Sequence, residues 1–587
     1  MTNKGEFHVS RLACAAIAMT FVFALVFLLV RLFDVQVNDA ADYTYASSRQ
    51  SVRRVHLSGP RGRILDRHGA VLAENRHSFS IVCNAAGLQR RTWEATIDAI
   101  EHEITEVAKV IGVESQLTRR KISRHIRQEL AIPLVVWRDV NDNVLSRFAE
   151  HSAEHPYFAI KESENRFYPG NSLAAHILGW VGDVKENFAS GDEKFNFVDL
   201  EMLGRCGLEA YYDSFLKGVS GERKILVDAR GFEVRSWMVT EPRNGPDLKL
   251  SIDAKIQREV ERQLSGLKGA CVVMDVRNGE VLAMASAPTY NLNGVRWERN
   301  LSVLNEDPNK PLLNRALCES YAPGSIFKPI VALAGLRIGY PEYEKYDCSG
   351  AFILGEASLR CTAIWGHGEL DLRHALMKSC NPFFCNLALD IGTNAVITVA
   401  REFGLGSKTG IDFTSEVPGV VPDAEWKMQT YNERWYQGDL IQMSIGQGML
   451  AVSPLQMAVA ASALATGYIV TPHFKLGLPA ARRKLQFSPE HLKIVQDGMR
   501  MVVQGDGKVK GTGWRAGEGV KVPVSGKTGT AEVGRGATRR KNTWFIAFAP
   551  SDNPTVAVAM IVENGESGGG TTAPKVGSVL KAVFNGR

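Results

Sequence analysis

No long single-residue tract and no periodic repeat runs through this sequence, and neither sign of charge dominates it. Against 69 Lys+Arg stand 63 Asp+Glu, a formal net charge of +6. So near a balance leaves no electrostatic footprint for nucleic acid, which is read by concentrated basic surface. The mild basic excess suits work beside an anionic membrane or wall polymer. At 587 residues the chain exceeds what one hydrophobic core holds, so two or three domains are expected.

What is present starts with an anchor. Leu12 to Val30 is a 19-residue run with no charge and only Thr20 as a clearly polar side chain. At about 1.5 Å per residue it nearly spans a hydrocarbon core of roughly 30 Å. Lys4 and Arg11 precede it, and Arg31 and Asp34 follow, so the N-terminus is expected in the cytoplasm and everything after residue 33 outside. A cleaved signal peptide is the rival, with Ala40-Ala41 and Ala46 as small residues downstream. Signal cores run about 7–15 residues, and this run is longer, which favours a retained anchor.

Three short strings carry the chemistry: Ser325-Ile326-Phe327-Lys328, Ser379-Cys380-Asn381 and Lys527-Thr528-Gly529-Thr530. Tyr321-Ala322-Pro323-Gly324 reads as a turn, and Pro329, tolerable only in a first helical turn, sets a helix start near Ser325. Lys328, three residues on, falls on the same face. A lysine acts as a base only when burial or a second cation lowers its pKa, and Lys527 is the candidate cation, with Ser379 and Asn381 between the two. Any one string is weak; order and spacing together resemble the serine acyltransferase set of penicillin-binding proteins and serine β-lactamases. The resemblance implies that Ser325 is acylated and that Lys527, Thr528 and Thr530 hold a terminal carboxylate. Gly529 leaves room for a substrate backbone, and the resemblance implies that the N–H groups of Ser325 and Thr530 form an oxyanion hole. The implied substrate is the D-Ala-D-Ala end of a peptidoglycan stem peptide, whose acyl group passes to the amine of a second stem.

Upstream, Gly59-Pro60-Arg61-Gly62-Arg63-Ile64-Leu65-Asp66-Arg67 resembles the opening of the pedestal in class B penicillin-binding proteins. Further matches follow at Arg166-Phe167-Tyr168-Pro169, His176 and Gly179, Gly207-Leu208-Glu209, Tyr212-Asp213, Gly218 and Val227-Asp228-Ala229-Arg230-Gly231. These read as structural bracing. Trp365-Gly366-His367-Gly368 resembles the elongation-type branch, similar to penicillin-binding protein 2, more than the division type. No matching Glu-x-x-Leu-Asn loop follows the second string, which argues against a β-lactamase. No second catalytic domain for glycan polymerisation is visible. The resemblance therefore implies a separate membrane glycosyltransferase of the SEDS type and elongation-complex proteins as partners, with β-lactams as covalent inhibitors. The alternatives are a septal transpeptidase, a β-lactam sensor or hydrolase, and a scaffold that activates a partner.

The expected layout is a tail over 1–11, a transmembrane anchor over 12–32, a pedestal over 33–245 and a transpeptidase domain over 246–587, with Asn244-Gly245-Pro246 at the boundary. Residues 117–128 carry five basic residues in a helical pattern and read as a solvated face or a docking surface. Leu248 to Asp253 reads as a strand leading into a helix. Ala270 to Ser286 reads as a hairpin around Asn278-Gly279. Asn542 to Ala549 and Thr555 to Val562 read as strands, and Lys575 to Phe584 as a closing helix. Strands at both ends with helical sequence between them predict an α+β (α/β) transpeptidase fold: an antiparallel sheet flanked by helices, with a helical subdomain, behind an elongated α+β pedestal.

Nine cysteines are scattered along the chain, with Cys14 inside the membrane run. Cys348, Cys361, His367 and Cys380 form a complete tetrahedral zinc set by residue type, although their spacing is unusual. A Cys348–Cys361 disulfide and plain apolar packing are the competing readings. Cys385 is the substitute ligand should Cys380 point elsewhere. No cofactor is expected for the reaction itself; any zinc would be structural.

Overall fold

The computed structural model describes residues 11–41, 43, 52–129, 133–184, 197–198, 201–227, 233–295, 298–355, 357–479, 481–534 and 539–586. Residues 1–10, Ala46 and the stretch from Asp228 to Gly231 lie outside them. Helix α1 (Arg11–Phe33) leaves its apolar side chains exposed along its whole length, Leu12, Phe21 and Phe27 among them. A helix apolar on every face with no protein against it suits hydrocarbon. Among the described residues it is the one unbroken helix long and apolar enough to cross a membrane.

Among the described residues, the segment after it builds two larger sheets and a two-stranded one of Val181–Val184 with Glu201–Gly204. In the first, β1 (Val52–Leu57) pairs antiparallel with β6 (Gly221–Val227), and β6 with β7 (Glu233–Thr240). In the second, β2 (Ile64–Leu65) joins β3 (Val71–Cys83), which pairs with both β4 (Leu134–Val140) and β5 (Phe158–Phe167). Helix α2 (Trp93–Ile111) buries Ile97, Ile100, Ile104, Val107 and Ile111, the three-to-four spacing of one helical face. The basic stretch forms helix α3 (Arg119–Glu129), and Arg119 pairs with Asp98 and Glu101.

Four of the scattered upstream residues meet in one buried ion network. Glu209 receives Arg61 at 2.9 Å and Arg166 at 2.6 Å, and Arg61 reaches Asp213 at 2.7 Å. Arg61, Arg166 and Glu209 are buried, so each charge persists only because another is beside it.

Two links fasten this part to the next. The short strand β8 (Leu248–Lys249) pairs in parallel with β2. Asp66 accepts from the N–H of His68, Ala70 and Ala254. Ala254 opens α4 (Ala254–Leu264), whose N-cap is Asp253, so one carboxylate satisfies both a turn and the start of a helix.

The C-terminal part is built on five antiparallel strands. Their spatial order is β10 (Val281–Ala287), β9 (Gly269–Asp275), β13 (Val556–Val562), β12 (Arg540–Ala549) and β11 (Ser525–Val533). Strands β9, β10 and β13 are buried at every residue. The pleat explains it, because successive side chains enter different cores. Ala270, Val272 and Met274 join the large core that holds α5 (Lys328–Arg337) and α8 (Pro454–Thr466). Cys271 and Val273 join a second core with α4 and α10 (Ala573–Phe584). The hairpin, the two late strands and the closing helix lie where the sequence predicts them, each within two residues at its ends.

Candidate active site

Ser325 sits in a 3₁₀ turn, Gly324–Phe327, and helix α5 begins only at Lys328. The expected helix start is thus displaced by one tight turn, with Pro329 still in the first helical turn. The turn is pinned from both sides. Gly324 N–H donates to the carbonyl of Gly446 at 2.8 Å, and Trp544 Nε1 donates to the carbonyl of Ala322 at 3.0 Å.

The second string closes α6 (Leu372–Lys378) and opens α7 (Asn381–Ile391). Ser379 takes the left-handed conformation, φ 56°, at the cap of α6. Such backbone strain in a non-glycine residue persists only where its surroundings enforce it. Lys328 Nζ donates to the carbonyl of Ser379 (2.7 Å), to Asn381 Oδ1 (2.7 Å) and to Ser379 Oγ (3.4 Å). Lys527 Nζ donates to Ser379 Oγ at 2.8 Å and to the carbonyl of Thr528 at 2.9 Å. Both lysines are completely buried, and one hydroxyl oxygen lies between their two ammonium groups.

Two ammonium groups in one dry pocket cannot both hold a proton cheaply. Burial lowers Lys328 to about 8, while the thiols of Cys380, Cys385 and Cys361 pull it upward. Burial first, and the charge of Lys328 second, push Lys527 well below the ordinary lysine range.

The third string lies on β11, the edge strand of the sheet, with Thr530 opposite Thr543. Gly529 serves the packing of the site itself. A Cβ there would stand 2.9 Å from Ile326 Cγ2 and 3.0 Å from the carbonyl of Pro323, so its bare backbone lets the strand press against the Ser325 turn. Thr530 Oγ1 accepts from Gly568 N–H at 3.3 Å. The loop holding Gly568 lies outside all three strings, and its run of three glycines was the available signal.

Behind Asn381, the ligand atoms of Cys348, Cys361, His367 and Cys380 all lie within 4.8 Å of one another. Cys361 Sγ is 3.4 Å from His367 Nδ1 and 4.0 Å from Cys380 Sγ, and Cys348 Sγ is 3.7 Å from His367 Nδ1. The two cysteines of the disulfide reading are free thiols. Cys385 stays apart, packed with Phe352, Ile441 and Ile445. The Cys380 thiol, more than any other group, favours the thiolate of Cys361. Asn381 Nδ2 donates to the carbonyl of Arg360 at 3.0 Å, which ties this cluster to the second string.

Comparison with known proteins matches two families. The one described as "Penicillin binding protein transpeptidase domain" matches residues 269–584, more than half of the chain, and the one described as "Penicillin-binding Protein dimerisation domain" matches residues 56–250. The peptidoglycan D,D-transpeptidase MrdA of Acinetobacter baumannii is 29% identical over 96% of this chain and 85% of its own length. MrdA of Escherichia coli strain K12 is 29% identical over 95% and 91%. Among solved structures, a complex between penicillin-binding protein PBP2 and MreC from Helicobacter pylori aligns with TM-score 0.77 and 28% identity, covering 91% of this chain and 98% of that one. A chain from a peptidoglycan synthase complex aligns with TM-score 0.72 and 27% identity over 98% of each.

Proposed function

Because the chain belongs to the penicillin-binding proteins, as an elongation-type class B member, we propose that it cross-links peptidoglycan stem peptides through an acyl-enzyme on Ser325. The peptidoglycan D,D-transpeptidase activity comes with the family and its named relatives. The comparisons give the division-type alternative no advantage. The residue roles rest on one observation above all: Lys328, Ser379, Asn381 and Lys527 form a single hydrogen-bonded group around two buried lysines beside the Ser325 turn.

In its neutral form Lys328 takes the Ser325 proton as the hydroxyl attacks the penultimate D-Ala carbonyl. The N–H groups of Ser325 and Thr530 receive the oxyanion. Ser379 Oγ lies 3.4 Å from Lys328 Nζ and accepts from Lys527, so its own proton can pass to the departing D-Ala amine while Lys328 returns the Ser325 proton to Ser379. Lys527 and Thr530 hold the terminal carboxylate. The acceptor amine then enters along the reverse path.

The test is release of D-Ala from pentapeptide-bearing glycan together with formation of a cross-linked dimer, measured across pH. A lysine base must be neutral, and Lys328 is lowered to about 8. Acylation is therefore expected to fall about tenfold per pH unit below that value and to level off above it. A flat profile between pH 6 and 9 would remove Lys328 from the role of base.

Our reading has the N-terminus in the cytoplasm and residues 52 onward outside, supported by the apolar helix α1 and by the basic residues before it. The relatives' structures with MreC and in a synthase complex support elongation-complex proteins and a membrane glycosyltransferase as partners.

Zinc is the structural reading of the cysteine cluster. Four donors around a tetrahedral zinc at about 2.0–2.3 Å stand roughly 3.3–3.8 Å apart; three of the pairs here are 3.4 to 4.0 Å apart and all lie within 4.8 Å. Cys348, Cys361, His367 and Cys380 would fill all four positions, so the metal would supply no activated water and would only stiffen the loop that carries Ser379 and Asn381. Protein purified without added metal is expected to hold about one zinc per chain, by elemental analysis, and chelation to lower both melting temperature and acylation rate. Below about 0.2 zinc per chain, plain packing of free thiols would stand instead.

A further inference from the structure

Thr512 lies outside all three strings yet joins two of them. Its hydroxyl donates to the carbonyl of Met377 at 3.2 Å and lies 3.0 Å from Thr528 Oγ1. Met377 belongs to the last turn of α6, where carbonyls have no donor within the helix. Thr528 is the second residue of the third string. One exposed side chain therefore connects the helix that ends at Ser379 with the strand that begins the carboxylate site.

The loop around it is built to present that hydroxyl and nothing else. A Cβ at Gly511 would stand 2.1 Å from the carbonyl of Val502, on α9 (Pro489–Gln504), and a Cβ at Gly513 would stand 2.6 Å from Phe545 Cε2 on β12. Both flanking residues are thus pressed flat against helix and sheet, and only Thr512 projects. The Gly568–Thr572 loop closes the third side, because a Cβ at Gly569 would stand 2.4 Å from the carbonyl of Thr512.

Proton bookkeeping gives this arrangement a direction. A carbonyl only accepts, and a hydroxyl has one proton. When Met377 takes the Thr512 proton, Thr528 must donate to Thr512, and its proton points away from the cleft. When an anion arrives, Thr528 can turn its proton to the ligand while Thr512 turns its own to Thr528, with no heavy atom moving. Hydrogen bonds in such a chain strengthen one another, so the second state makes Thr528 a better donor. Thr530 needs no such device, because its oxygen already accepts from Gly568 and its proton remains free.

We propose that Thr512 is a positioning residue for carboxylate recognition, acting through Thr528 by reversing a two-hydroxyl chain when substrate binds. The proposal rests on the carboxylate reading of the third string given above. It is tested on the full-length protein with penicillin and with its uncharged methyl ester, by following acylation against concentration. Thr512→Val keeps the volume and removes the hydroxyl. It is expected to raise the concentration of penicillin needed for half-maximal acylation about five- to tenfold, the worth of one hydrogen bond, at an unchanged limiting rate. With the ester it should match wild type. Thr512→Ser should restore penicillin binding.

Equal losses on acid and ester would make Thr512 a merely structural residue and overturn the proposal, as would no loss on either or a failure of the serine variant to rescue. A wild-type enzyme indifferent to esterification would instead bring down the carboxylate reading itself, and this proposal with it.

Discussion

Labelled penicillin is expected to attach to the wild-type chain and to leave Ser325→Ala bare at every concentration and time. The substitution removes one hydroxyl from a turn held by backbone contacts at Gly324 and Ala322. It spares the Lys328 and Lys527 hydrogen bonds, which run to Ser379, Asn381 and Thr528. Melting temperature should therefore stay within a degree or two while labelling vanishes, which separates chemistry from folding. Lys328→Ala should slow labelling by about 10²–10⁴-fold, the usual contribution of a positioned general base. An adduct on the alanine variant at position 325, located by intact mass and peptide mapping, would defeat the assignment.

Removing Glu209 is expected to produce the largest loss of stability in the pedestal. The carboxylate faces two buried guanidinium groups, so Glu209→Ala strands the charge of Arg166 and leaves Arg61 with Asp213 alone. Breaking a buried ion cluster on one side costs about 3–5 kcal/mol. The matching readout is the urea midpoint followed by a pedestal probe such as Trp137, which is buried in that part of the chain. Glu209→Gln keeps the shape and some of the hydrogen bonds and should fall between alanine and wild type. Penicillin labelling at Ser325 should survive both changes under native conditions, because the network touches none of the three catalytic strings. A wild-type midpoint in the alanine variant would show that the two arginines find water or other partners.

The three strings are readable because each fits within four residues or fewer, and local spacing on a turn or strand shows directly in sequence. The hairpin at Asn278-Gly279 and the late strands were readable for the same reason, as local patterns of apolar runs and turn residues. What could not be read was anything created by closure of the chain. Ser325 looked like the start of a helix, but the adjacent contacts with Gly446 and Trp544 draw its turn into the tighter 3₁₀ form. Gly529 reads as room for a substrate backbone, and its second use, close packing against Ile326 and Pro323, is created only by the fold. Arg61, Arg166, Glu209 and Asp213 each stand in a legible motif, but no periodicity announces that these distant charges meet in one ion network. Thr512 was invisible because its partners come from 135 and 16 residues away. The cysteine set was legible as donor types, and only the fold brings the donors together.

The third string has one more consequence, as a problem of solubility. It lies on the outermost strand of a five-stranded sheet, and an open row of N–H and C=O groups invites a second protein molecule to pair with it. The chain guards the two halves of that strand differently. Toward its C-terminal end, exposed Glu532 pairs with Arg539, and exposed Arg540 and Lys541 sit on the neighbouring strand, so an approaching sheet meets charge. The Lys527–Thr530 half carries no such gatekeeper and is instead recessed, with the Ser325 turn against Gly529 and the Gly568 loop against Thr530. A flat strand edge from another folded domain cannot enter such a slot, whereas the loose end of a single peptide can. Protection from self-association and selection for a chain terminus are then one and the same shape.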